Sequence, residues 1–199
     1  DGLPLDFQWL RTPSPHLLFS LTDRPGHLRV FGRDSIGSTF HHALVARRQT
    51  ELVYEASVVV DYDPDNFQQM AGLVTYYNGH KFHWLYVSFD PVIGRFADIC
   101  TCPGDTNMTV QFPIWDERVA LPEGPVVLKV VTANHRQQFF VGSDHSSLKP
   151  IGPVLDASLL SDEAGKGEHA NFTGNFVGMN AQDLTGHGKF ADFSKFRYV

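Results

Sequence analysis

The carboxylates of "ELVYEASVVVDYD" are the first residues whose spacing could do chemistry. Glu51, Glu55, Asp61 and Asp63 share parity, so along a strand they face one side. Hydrolysis of a glycoside needs two carboxyls flanking the scissile bond, about 5 to 10 Å apart. These four are instead spread from one end of the strand to the other, which suits a solvated face. In "DEAGKGE", residues 162–168, the carboxylates lie in a glycine-broken loop with no scaffold to fix a pair. There is no G-x-S-x-G elbow and no H-E-x-x-H helix. His41 and His42, then His80 and His83, tempt a metal reading, but the second pair spans a turn and lacks a third ligand. They read as scattered surface histidines. Cys100 and Cys102 point the same way at i and i+2, where a bridge would strain the backbone, and read as buried free thiols.

Binding chemistry is better represented than catalysis. In "KFHWLYVSF", Phe82, Trp84 and Tyr86 occupy one side, with His83, Leu85, Val87 and Phe89 on the other. Both sides are largely apolar. One row either fills a core between sheets or offers flat rings on which sugars stack, Trp84 before Tyr86 because indole is the larger face. Tyr76 and Tyr77 point to opposite faces, so one of them joins the exposed row. On "NFVGMNAQDL", Asn180 and Gln182 share a side with Phe176, whereas Val177, Met179 and Ala181 form the apolar side. Amides both donate and accept, which matches vicinal hydroxyls. Gln68 and Gln69, with Arg47 and Arg48, are the remaining candidates for a polar rim, or for a polar network buried against a partner. Asp6 and Asp192, near the two ends, are the candidates for a structural calcium, an ion that takes oxygen ligands. No other cofactor is expected.

These residues need strands to position them. Helical periodicity is almost absent. About a dozen alternating runs, from "HLRVFG" through "MTVQFPI" to "FADFSKFRYV", are separated by turns such as "DPDN", "YNGH", "FDPVIG" and "PEGP". That pattern predicts an all-β sandwich or barrel with at most a helical turn near "DASLLSDE". No linker or composition break divides residues 1–199, so one domain is expected. A net charge of −6 argues against nucleic acid, and no apolar run is long enough for a membrane helix. "DGLPLDFQWL" reads as a mature or excised start rather than a signal peptide. Asn107 and Asn171 match the glycosylation tripeptide, a pattern common by chance.

"FQWLRTP", "RPGHLRVFGRDS", "LVARRQ", "FQQMAGLVTYYN", "IGPVLDASLLSDE", "FTGNFVGMNAQDLTG" and "ADFSKFRYV" together resemble the C-terminal β-sandwich of glycoside hydrolase family 43 β-xylosidases. That region is also classed as carbohydrate-binding module family 91. The resemblance runs from about Phe7 to the end and implies a concanavalin A-like jelly roll of two antiparallel sheets. It implies a non-catalytic accessory domain, since the family's hydrolytic carboxylates sit in a separate five-bladed propeller. The parent enzyme would be a β-xylosidase or α-L-arabinofuranosidase. The implied roles are binding of xylan or xylo-oligosaccharides, through Trp84, Tyr86, Tyr77, Gln69, Arg48, Asn180 and Gln182, and docking on the propeller. In the second role a sandwich loop completes the propeller's pocket with a Phe, and the motif-matched position is Phe172.

Overall fold

The computed structural model describes residues 2–38, 40–104, 118–164 and 173–199. Phe172, Asn107, Asn171 and the strand expected over "MTVQFPI" lie outside the described residues. Among these described residues there are fourteen strands: β1 (Phe7–Trp9), β2 (Phe19–Ser20), β3 (Leu28–Phe31), β4 (Ala43–Arg48), β5 (Val53–Asp61), β6 (Gln69–Asn78), β7 (Lys81–Asp90), β8 (Gly94–Pro103), β9 (Val119–Ala120), β10 (Val126–Ala133), β11 (Arg136–Gly142), β12 (Lys149–Asp156), β13 (Phe176–Asp183) and β14 (Phe190–Tyr198). They form two seven-stranded antiparallel sheets, in the orders β1-β4-β13-β6-β7-β8-β9 and β12-β11-β10-β5-β14-β3-β2. Among the described residues the only helical turns are 3₁₀, at Pro15–Leu17, Ala157–Leu160 and Asp162–Ala164. The last two fall on the "DASLLSDE" stretch that predicted a turn.

Turn chemistry sets the hairpins. Between β6 and β7 the Asn78 side chain accepts from the His80 amide at 2.8 Å, closing an Asx turn. Between β7 and β8, Asp90 accepts from the amides of Val92 (2.8 Å) and Ile93 (3.3 Å), and Gly94 takes φ of 77°. β12 was not among the expected strands, because Pro150 and Pro153 break its pattern. It sits at a sheet edge, where a missing N–H is tolerated.

The inter-sheet core follows the alternation. Val177, Met179 and Ala181 of β13 meet Leu73, Leu85, Val87 and Ile99 of the same sheet, and Val58, Val60, Leu128, Val130 and Phe139 from the other. A second apolar cluster occupies the outer face of the first sheet, with Leu44, Met70, Val74, Tyr76, Phe82, Trp84, Tyr86 and Phe96. β6, β7 and β8 are therefore buried on both faces, which is why they read as nearly unbroken apolar runs. The second sheet is wet on its outer face, where Glu55 pairs with Lys129 at 2.6 Å and Asp61 with Arg24 at 2.7 Å. Of the carboxylates of "ELVYEASVVVDYD", Glu55 and Asp61 are ion-pair partners on this face, and Glu51 and Asp63 are exposed.

Candidate functional site

The expected stacking platform is corrected. Trp84 is 0% and Tyr86 1% exposed, so neither ring presents a face to solvent. They lie neither between the sheets nor on an open surface, but in the outer-face cluster. Trp84 packs on Tyr86 with ring centroids 5.4 Å apart, and Tyr86 meets Phe96 edge-on at 6.2 Å. The segment joining β3 to β4 brings Ile36 into the cluster, and its amide donates to Gln182 Oε1 at 3.1 Å.

The amide rim is buried for the same reason. Gln182 also donates to the Met70 sulfur at 3.0 Å, and Gln69 accepts from the Asp65 amide at 2.9 Å. Strand register sets Asn180, Gly72, Tyr86 and Asp98 side by side in one row across the sheet. Asn180 is fully buried with neither amide atom partnered among the described residues, and the Trp84 Nε1 is likewise unpartnered. Asp98 is fully buried too. Its Oδ1 accepts from the Ile99 amide at 2.7 Å, and its Oδ2 lies 3.5 Å from the Tyr86 hydroxyl and 3.9 Å from Arg118 Nε. Burial pushes this carboxyl up to about 6, with the Ile99 amide, Arg118 and Tyr86 pulling only part of the way back.

The proposed calcium ligands face arginines instead. Asp192 accepts from Arg29 Nε at 2.8 Å and from Arg24 at 3.0 Å, while Asp6 pairs with Arg47 at 3.2 Å. Burial would raise the Asp192 pKa, but Arg29 and Arg24 outweigh it and hold it below the usual range. Each carboxylate thus has its cation already, and no cluster of three or more potential metal ligands occurs among the described residues. His42 and His83 are likewise not surface residues. His83 is 1% exposed, bonded to Thr101 and to the Asp156 carbonyl, and burial pushes it down to about 4.

The open site lies at one end of the first sheet. A cleft of about 630 Å³ is bounded by Gln8–Arg11 at the end of β1, by the β6–β7 turn, and by Arg48, Phe176 and Thr173. This volume is within the range of small-molecule pockets. Two of the expected site residues, Tyr77 and Arg48, line it. Trp9 is half-buried, fixed by its Nε1 donating to the Thr12 carbonyl at 3.0 Å and by an edge contact to Phe19 at 5.5 Å. The Arg48 guanidinium lies 4.8 Å from the centre of the Phe176 ring and donates to the Thr173 carbonyl. The Tyr77 hydroxyl donates to Asp162 and accepts from the Thr173 amide at 3.3 Å. Asp162 also accepts from the Gly174 amide at 3.2 Å. Trp9 and Arg11 escaped sequence reasoning, because β1 is three residues long and shows no alternation. The only signal was "FQWLRTP", which places an aromatic, an amide and a cation together in a loop-flanked run.

The whole chain, residues 1–199, matches the family described as "Beta xylosidase C-terminal Concanavalin A-like domain". It is 42% identical over 201 residues to "Xylosidase/arabinosidase 43B" of Humicola insolens, covering 100% of this chain and 37% of that protein. To "Beta-xylosidase" of Bacillus subtilis it is 38% identical over 98% of this chain and 36% of that protein. Among solved structures, the xylan beta-1,4-xylosidase from Bacillus halodurans C-125 superposes with a TM-score of 0.92. It is 34% identical and covers 99% of this chain and 37% of its own. The chain spans little more than a third of the length of these relatives.

Proposed function

The chain belongs to the family of C-terminal concanavalin A-like domains of β-xylosidases, and on that premise we propose that it is a non-catalytic module that holds xylan or a xylo-oligosaccharide in the cleft beside Phe176 and Arg48. It corresponds to the C-terminal domain of those enzymes and not to their catalytic propeller. The supporting observation is the cleft itself, in which the half-buried Phe176 ring, with the Arg48 guanidinium 4.8 Å from its centre, stands near Gln8, Tyr76 and Asn78, while Trp9 forms part of the wall and turns its ring to the inter-sheet core. Flat apolar faces beside fixed donors and acceptors suit a pyranose, whose ring is apolar above and below and hydroxylated at its edge. The cleft replaces the buried Trp84 and Tyr86 as the proposed stacking surface. Calorimetric titration of the chain with xylotetraose is expected to give saturable binding, weakened by about 1–3 kcal/mol in Phe176→Ala. No heat at millimolar sugar would sink the reading.

A second reading is favoured by the way Thr173 and Gly174 are tied down by Arg48, Tyr77 and Asp162. Such anchoring of the residues that follow Phe172 suits a segment that must be delivered accurately to a partner. In this reading the domain docks on a family 43 propeller and completes its pocket with Phe172. In the propeller-linked enzyme, Phe172→Ala would then raise KM or lower kcat on short xylosides and leave the unfolding midpoint of the domain unchanged. Unaltered kinetics would remove this role.

A further inference from the structure

The cleft carries a charge opposite to that of the chain. The protein has a formal net charge of −6, yet the described residues lining the cleft include Arg11 and Arg48 and no Asp or Glu. Two described carboxylates that bond to lining residues are already engaged there: Asp34 accepts from Ser38 Oγ at 3.2 Å, and Asp162 accepts from Tyr77 and from the Gly174 amide.

The two guanidiniums are available in different ways. Arg48 spends one donor on the Thr173 carbonyl, and a guanidinium has five. Arg11 is exposed and makes no hydrogen bond or ion pair among the described residues. Its charge lowers the pKa of His42 and of Tyr76 on the neighbouring wall, behind the dominant effect of burial on each. Its backbone sits at φ of 61°, a left-handed conformation that non-glycine residues seldom adopt and that concentrates at functional sites. The fold thus holds a residue of unfavourable backbone conformation at the cleft wall, and the side chain it presents there is a cation with no ion-pair partner among the described residues.

Resting on the reading that sugar occupies this cleft, we propose that its preferred ligand is an acidic glycan, a xylo-oligosaccharide bearing a uronic acid whose carboxylate is met by Arg11 and Arg48. A planar carboxylate matches the guanidinium fork, and a partly enclosed site strengthens the pairing relative to open water. The Phe176 ring at the cleft favours a sugar over an acidic polypeptide segment, since a peptide carboxylate would call for the cations and not for a flat apolar wall beside them.

The test titrates the chain with xylotetraose and with the same oligosaccharide carrying one glucuronic acid branch, by calorimetry at 50 mM and 500 mM salt. The acidic sugar is expected to bind about tenfold more tightly at low salt, a difference reduced at high salt by screening. Arg11→Gln, on an exposed side chain, should lower the ratio of acidic to neutral affinity several-fold with an unchanged melting temperature. Equal affinity for the two sugars overturns the inference and leaves the sugar-binding reading standing. Binding of neither removes that reading and the inference with it. If Arg11→Gln leaves the ratio intact but weakens association with a separately expressed catalytic propeller, the cations serve a protein carboxylate and the inference is wrong.

Discussion

Replacing Asp98 with asparagine is expected to stabilise the protein at neutral pH and to change little at pH 4. The carboxyl is fully buried, and burial raises it to about 6. Between its unfolded value near 4 and this folded value, the folded state binds the extra proton. Stability therefore falls as pH rises through that window, and the cost is fully present above it. Two units correspond to about 3 kcal/mol. The variant forfeits the long contact of Asp98 to Arg118, 3.9 Å away, which reduces the expected gain to about 1–2 kcal/mol at pH 7.5. At pH 4 the acid is mostly neutral, and its amide replacement should match it within about 0.5 kcal/mol. Urea unfolding of both proteins across pH 4 to 7.5, followed by tryptophan fluorescence, gives the difference directly. A difference that is flat with pH, or that favours the parent more strongly at pH 7.5 than at pH 4, would refute the reasoning.

His83 should act in the opposite direction. Its folded value of about 4 lies below the unfolded value near 6.5, so the unfolded state takes up the proton and stability falls as pH drops through that range. His83→Gln should flatten this limb of the pH profile, and an unchanged slope would exclude the residue as its source. Trp84→Ala should lower stability by about 3–5 kcal/mol, since the indole is fully enclosed, and leave the affinity of the folded fraction for xylotetraose intact. Loss of sugar binding without loss of stability would return Trp84 to the surface. Asp192→Ala should destabilise by about 1–3 kcal/mol, chiefly by leaving the half-buried Arg29 without its carboxylate while Arg24 keeps Asp61, and an unchanged midpoint in chemical denaturation would contradict this.

The fold was more legible in the sequence than the site. Alternation in "KFHWLYVSF" and "NFVGMNAQDL" assigned Leu85, Val87, Val177 and Met179 to one face correctly, because side-chain direction has a period of two whatever packs above it. It could not say what covers the other face. Trp84, Asn180 and Gln182 read as a binding row because aromatics and amides look the same to a strand pattern under solvent or under Ile36. Long-range charge pairing is equally hidden. Nothing local to Asp192 indicates that Arg24 and Arg29 converge on it from across 168 and 163 residues. Tyr77 and Arg48 reach the cleft because they sit at strand ends, where turn residues in the sequence already mark the boundary. Arg11 stays invisible because its importance lies in a backbone angle.

The position of β12 has a consequence for how the protein behaves at high concentration. An exposed edge strand is a template onto which another chain can add, and a sandwich of two open sheets runs that hazard at each open edge. Here Pro150 and Pro153 remove two donors from the outermost strand of the second sheet, and the opposite edge is the two-residue β2. A bulge between Gln137 and Phe139 further interrupts the register behind the prolines. An approaching strand finds neither a continuous row of N–H groups nor a straight line to follow. The same prolines that hid this strand in the sequence pattern make the edge a poor template for another strand.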